Sequence, residues 1–233
     1  MAAVANERSE RVLDMIFTPI DRENWSRKEY FDHYFKEVPC TYSITTKLDI
    51  TGIKQQGFRL YPTLLYLIAK TVNRFDSFRT AFRADGSLVV YEEMSPCYTI
   101  FHKETETFSN IWTEYTDNYE DFCRAYQQDL KQFGDQKGFM AKPDVPANTF
   151  PVSMIPWESF EGFHLNLKNG DRYLLPIFTM GKYTLDQGRY WMPLSIQVHH
   201  AVCDGFHICR FISALREMIG DEALFASRER ADL

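Results

Sequence analysis

Nowhere in its 233 residues does this chain come near the roughly 18 consecutive apolar residues of a membrane-spanning helix. No membrane partner is therefore expected. Positive charge is also short. Lys and Arg number 26 against 32 Asp and Glu, the formal net charge is −6, and no Lys/Arg-rich run stands out, so no nucleic-acid partner is expected. Cysteine is sparse, odd in number and scattered: Cys40, Cys97, Cys123, Cys203 and Cys209 include no C-x-x-C pair. That argues against a disulfide framework and a zinc site, and points to reduced, mostly buried thiols in a cytoplasmic protein. Near the N-terminus Glu7, Arg8, Glu10, Arg11 and Asp14 interrupt the chain before any apolar run forms, so a secretory signal is not expected. Repeats, low-complexity tracts and linkers are missing as well. The expectation is one domain over 1–233, with a polar extension at 1–15 and a tail at 221–233.

What the chain does have is aromatic side chains, 15% of the total with 19 Phe and 13 Tyr. They suit aromatic-lined pockets or interfaces, and core packing accounts for them as well. Helical spacing is read over Asn24–Val38 with Asn24 as N-cap, from about Pro62 to Phe75, from Ile111 to Phe133 with Gly134 ending it, and from about Gly205 to Ile219. Strand alternation is read over Cys40–Ile50 and Cys97–His102, and a hairpin turn at Asp85-Gly86. A loop is read over Lys142–Asn148. Four apolar runs follow at Phe150–Ile155, Phe163–Leu167, Tyr173–Tyr183 and Trp191–His200, with turns at Asn169-Gly170 and Gln187-Gly188 between them. The mixture is α+β, a single mixed β-sheet flanked by helices.

The chemically informative stretch is Gln197-Val198-His199-His200-Ala201-Val202-Cys203-Asp204-Gly205-Phe206-His207, where a strand gives way to a helix. Met192, Leu194, Ile196 and Val198 share one strand face and His200 continues it, while His199 points the other way. An apolar surrounding favours neutral imidazole at pH 7, the form a general base needs. Asp204 stands where it can cap the helix and pair with a cation. Three plainer readings remain open: a satisfied core histidine, an aspartate that only caps, and a metal site. The last is disfavoured because neighbouring strand residues point to opposite faces. Nothing nearby would lower the pKa of Cys203 enough to make it a nucleophile.

The pattern His-His-x-x-x-Asp-Gly at 199–205 is shared by several coenzyme-A-dependent acyltransferases, and the full run to His207 closely resembles the chloramphenicol acetyltransferases. The likeness extends from about Asn24 to Ile219. It takes in Trp25-Ser26-Arg27-Lys28-Glu29, Leu48-Asp49-Ile50-Thr51, Thr105-Glu106-Thr107-Phe108-Ser109, Pro156-Trp157 and Phe178-Thr179-Met180-Gly181-Lys182-Tyr183.

The resemblance implies the coenzyme-A-dependent acyltransferase fold, a homotrimer with active sites at subunit interfaces, acetyl-CoA as co-substrate and no metal. It implies acetyl transfer to the 3-hydroxyl of chloramphenicol, which confers resistance, or to another hydrophobic alcohol as the alternative. It assigns His200 as general base in a ternary complex, Ser153 as hydroxyl donor to the oxyanion, Thr179 as holder of a water, and Asp204 with Arg27 as the pair that holds the turn. By match, Tyr34, Cys40, Phe108, Phe163, Leu165, Tyr173 and Ile177 would line the acceptor pocket. Arg59, Tyr61, Trp157, Lys182 and Tyr183 would contact coenzyme A. The His200 face of one chain would meet the Tyr34 and Phe108 region of its neighbour.

Overall fold

In a computed structural model the described residues are 16–168 and 172–221. The polar extension, the Asn169-Gly170 turn and all of the tail beyond Asp221 lie outside them. Strand β1 (Phe17–Pro19) leads into helix α1 (Lys28–Asp32), which continues as a wider π-helical turn over His33–Glu37. Then come β2 (Thr41–Asp49), α2 (Thr51–Gln55), α3 (Leu60–Val72), β3 (Thr80–Phe82), β4 (Leu88–Tyr91), β5 (Ser95–His102) and β6 (Thr107–Trp112). Helix α4 (Tyr119–Phe133) precedes β7 (Thr149–Ile155), β8 (Ile177–Gly181), β9 (Thr184–Asp186), β10 (Arg189–His199) and α5 (Gly205–Gly220).

The expected single sheet is in fact two. A small antiparallel sheet runs β1-β4-β3, and the main seven-stranded sheet runs β2-β10-β8-β7-β5-β6 with β9 paired to β10. Within the main sheet β5, β7 and β8 are parallel and the other pairs antiparallel. Alternation along β10 decides where the core lies: Met192, Leu194, Ile196 and Val198 are all buried on one side. Helix α3 is mostly apolar and buried along most of its length, with Pro62 in its first turn, where a missing N–H costs little. Helix α5 presents the stripe Ile208, Phe211, Ile212, Leu215 and Ile219, and its Phe211 ring stacks on Phe78 at 4.5 Å and on Phe178 at 5.3 Å.

Several boundaries differ from the periodicity reading. Asn24 caps no helix, because its side-chain amide and backbone both bond Asp21 and close a turn there. Helix α1 starts later, with Arg27 at its N-cap. Ile111 and Trp112 belong to β6, where they pair with Tyr98 and Cys97, and α4 begins only after Asn118, whose side chain accepts the Glu120 and Asp121 N–H groups. The run Phe163–Leu167 forms no strand. It is a strap laid across the sheet and held by side chains of β10. Just ahead of it the Phe160 ring packs onto Gly181, where a Cβ would meet that ring and Pro193 Cγ, both at 2.7 Å. The β9–β10 turn uses positive φ at Gln187 (48°) and Gly188 (79°), as a tight hairpin demands.

Candidate active site

The strand β10 ends at His199, and His200 is the first residue of the turn into α5. This corrects the expected burial of the two histidines. His199 is the buried one, 1% exposed, and its Nδ1 accepts the Ala201 N–H at 3.1 Å. The His200 side chain remains 30% exposed and lies among aromatic rings and a carboxylate rather than on a purely apolar face. Tyr34 stacks on it with centroids 3.8 Å apart and planes 11° from parallel, and the Tyr42 ring lies at 5.4 Å. Its Nδ1 is shielded from water and sits 3.2 Å from Asp204 Oδ1, outside hydrogen-bond alignment. Its backbone N–H donates to the Cys40 carbonyl at 3.0 Å.

One guanidinium organises the turn. Arg27 donates from Nη1 to Asp204 Oδ2 at 2.7 Å and from Nη2 to Asp204 Oδ1 at 2.6 Å, a two-pronged fit of fork to carboxylate. Its Nε donates to the Ala201 carbonyl at 2.8 Å, and Nη2 also reaches the His200 carbonyl at 3.0 Å. Arg27 thus ties two backbone carbonyls of the turn and its carboxylate to one guanidinium. The hydrogen bond from Arg27 holds the Asp204 carboxyl below its usual pKa despite partial burial. Tyr42 donates to the Cys203 carbonyl at 3.0 Å, and burial raises its phenol pKa, so it stays a donor. Tyr42 was not anticipated from the sequence. Its place opposite Val198 in the β2–β10 pairing puts it under the turn.

Ser153 and Thr179 face each other across the parallel β7–β8 pair with their hydroxyl oxygens 3.1 Å apart. Thr179 in turn is the register partner of Ser195 on β10. Two strand spacings therefore separate Ser153 from β10, roughly 10 Å, and the stretch from Ser195 to His200 adds about 16 Å along the strand. A single chain does not bring His200 and Ser153 together.

The other anticipated residues divide the same way. Tyr34 and Cys40 sit with His200, so Tyr34 stacks on the histidine of its own chain, contrary to the expected placement across an interface. Phe163, Leu165 and Ile177 gather around the middle of β10. Ser195 Oγ donates to the Phe163 carbonyl at 2.7 Å, and the Gln197 amide accepts the Leu165 N–H at 2.8 Å while donating to its carbonyl at 3.0 Å. Ile177 pairs with Gln197, and Tyr173 lies in the irregular approach to β8. Gln197 belongs to the conspicuous run, yet only the path of the strap reveals its use.

Phe108, Trp157, Lys182 and Tyr183 lie toward the opposite end of the sheet, where the parallel strands β7 and β8 terminate. Phe101 and Phe108 are cross-strand partners, and Trp157 packs edge-on to Phe101 at 4.7 Å while remaining largely exposed. The Lys182 N–H donates to the Glu158 carbonyl at 2.9 Å, and Lys54 Nζ donates to the Tyr183 hydroxyl at 3.2 Å. Tyr61 donates to the Thr99 carbonyl at 3.2 Å, with Arg59 exposed just ahead of α3. Among the described residues, no three His, Cys, Asp or Glu side chains converge on a possible metal position, and no helix is long and apolar enough to cross a membrane.

Compared with solved structures, the chain shares its fold with a chloramphenicol acetyltransferase at a TM-score of 0.75, with 22% identity, over 88% of this chain and all of that one. It also resembles the dihydrolipoamide acetyltransferase of Azotobacter vinelandii at a TM-score of 0.63, with 17% identity, over 84% of this chain and 88% of the other. The fold is thus the one these acetyltransferases share. The sequence comparisons narrow this. The profile of the family described as chloramphenicol acetyltransferase matches residues 15–216. A chloramphenicol acetyltransferase of Campylobacter coli is 62% identical over 88% of this chain and 99% of its own, and one of Vibrio anguillarum is 60% identical over 88% and 95%. The chain belongs to the chloramphenicol acetyltransferase family, and it is an acyltransferase.

Proposed function

We propose that this enzyme transfers the acetyl group of acetyl-CoA to the 3-hydroxyl of chloramphenicol, with His200 as general base, and so confers resistance to the drug in the cytoplasm. The observation that carries the mechanism is the Arg27 clamp. It fixes the carbonyls of His200 and Ala201 and the Asp204 carboxylate at once, which holds the imidazole in place before substrate arrives. The carboxylate beside Nδ1 favours the tautomer with its proton there and leaves the Nε2 lone pair for the attacking hydroxyl. The hydroxyl oxygen attacks the thioester carbonyl as its proton passes to Nε2. The oxyanion that forms needs a donor set in advance, and Ser153, poised by Thr179, suits that role. Collapse expels the coenzyme A thiolate, which takes up the proton. Cys203 is buried and its thiol is pushed up to about 12, so it is no nucleophile, which supports a ternary complex without acetyl-enzyme.

The separation of His200 from Ser153 supports assembly of the site between copies of the chain. The His200, Tyr34 and Cys40 group of one copy would then meet the Ser153, Phe108 and Trp157 side of another, in a homotrimer. Phe163, Leu165, Tyr173 and Ile177 would complete the acceptor wall. Arg59, Tyr61, Trp157, Lys182 and Tyr183 would line the path of coenzyme A. Thiol release from acetyl-CoA by the purified protein, with and without chloramphenicol, tests the reading. Release that requires the drug supports it, and release indifferent to the drug sends the search to another hydrophobic alcohol.

A further inference from the structure

The conspicuous run ends at His207, a residue to which neither the base nor the clamp gives a task. We propose that His207 is a positioning residue for the His200 turn, acting through an unprotonated Nδ1 that accepts the Asp204 N–H and so helps Arg27 hold the turn. This rests on the role given to His200 above.

The geometry is reciprocal. The Asp204 N–H donates to His207 Nδ1 at 3.0 Å, and the His207 N–H donates to the Asp204 carbonyl at 2.9 Å. His207 occupies the third position of α5, where helices commonly place Glu or Gln to reach back to the N-cap. A glutamate would fail here. It would bring a second carboxylate against Asp204, whose Oδ2 is 3.7 Å from His207 Nδ1, and would compete for Arg27. An imidazole supplies the same acceptor without charge, but only while Nδ1 carries no proton.

The surroundings favour that state. Burial, Arg27 from the start of α1 and Arg210 from the next turn of α5 all hold the His207 pKa below its ordinary 6.5, with Asp204 pulling the other way. The neighbouring Phe206 ring stands edge-on to it at 6.0 Å. Protonation would set one N–H against another and loosen the start of the helix. The histidine therefore contributes fully above its ordinary pKa and loses its effect as pH falls through the depressed one. Turnover should then decline in acid as His207 takes up its proton.

The test compares His207→Ala and His207→Asn in the full-length enzyme with acetyl-CoA and chloramphenicol, measuring kcat, KM and their pH dependence. Asn Oδ1 stands where Nδ1 stands and cannot titrate. Alanine should lower kcat about tenfold with KM changed by less than about twofold, the mark of misplaced chemistry rather than lost binding. Asparagine should recover most of that loss and show a shallower fall in kcat than the native enzyme as pH drops below about 6.5. Asparagine no better than alanine, or an acid limb identical to the native one, would overturn the proposal. If alanine does not fold, the pH profile of the asparagine variant decides alone. His200→Ala is run alongside. An active His200→Ala would sink the reading of the site, whereas an inactive one with native-like His207→Ala and His207→Asn sinks this inference only.

Discussion

Replacing Arg27 by alanine removes four hydrogen bonds in one step. The Arg27 side chain is 14% exposed and Asp204 is 34% exposed, so the pair is neither fully buried nor free in water. Breaking a fully buried pair by removing one partner costs about 3–5 kcal/mol, and exposed pairs are worth about 0–1 kcal/mol. The carboxylate here belongs between those limits, and the two orphaned carbonyls add about 1 kcal/mol each before water replaces the donor. A net loss of about 2–4 kcal/mol follows, which in a chain of this size lowers Tm by about 5–15 °C. Turnover should suffer more than stability suggests, because a displacement of about 1 Å in the base can cost about a hundredfold. Arg27→Lys keeps the charge without the fork, so it should fall between alanine and the native enzyme. The acid behaviour gives an independent check. Arg27 depresses the Asp204 pKa from its ordinary 3.8, so the stabilisation is complete above that pH and is lost as pH falls through the depressed value. Thermal melts between about pH 7 and pH 3 should show the native enzyme losing more stability than Arg27→Ala. A variant that melts within about 2 °C of the native enzyme and keeps its kcat would refute the clamp.

Ser153→Ala, assayed at saturating substrates, should lose about a hundred- to a thousandfold in kcat with its melting unchanged, the usual cost of one missing oxyanion donor. A loss confined to KM would move Ser153 out of that role. Co-refolding His200→Ala chains with Ser153→Ala chains, each nearly inactive alone, should restore measurable turnover if the site forms between copies. Mixtures as inactive as the separate variants would place the site within one chain. Cys203, buried with its thiol raised to about 12, should resist alkylation in the native enzyme and react only after unfolding, as read by mass spectrometry of labelled peptides. Rapid native labelling of Cys203 would contradict the packing beneath the turn.

How much of this was legible in the sequence depends on the range of the forces involved. The faces of β10 and α5 were plain because burial repeats with period two or with the helical period, and Leu194 or Phe211 need only local spacing to be read. The start of α4 was not. Ile111 and Trp112 fit a helical stripe, yet their partners on β5 claimed them for a strand, a nonlocal contact that periodicity cannot register. Asp21 defeated Asn24 as a cap for a similar reason, by offering a closer partner. In the site, the joining of Arg27 to Asp204 followed from resemblance and not from spacing, since 177 positions of chain separate them. The placement of His200 was read one residue too far along the strand. The burial went to His199, and the turn left His200 against Tyr34, where chemistry has access.

The most direct test of the account is thiol release from acetyl-CoA in the presence of chloramphenicol by His200→Ala, with folding and oligomeric state confirmed beforehand. The account predicts a loss of about a thousandfold or more in kcat from an otherwise intact protein. Turnover within about tenfold of the native enzyme would contradict the assignment of His200 as the base.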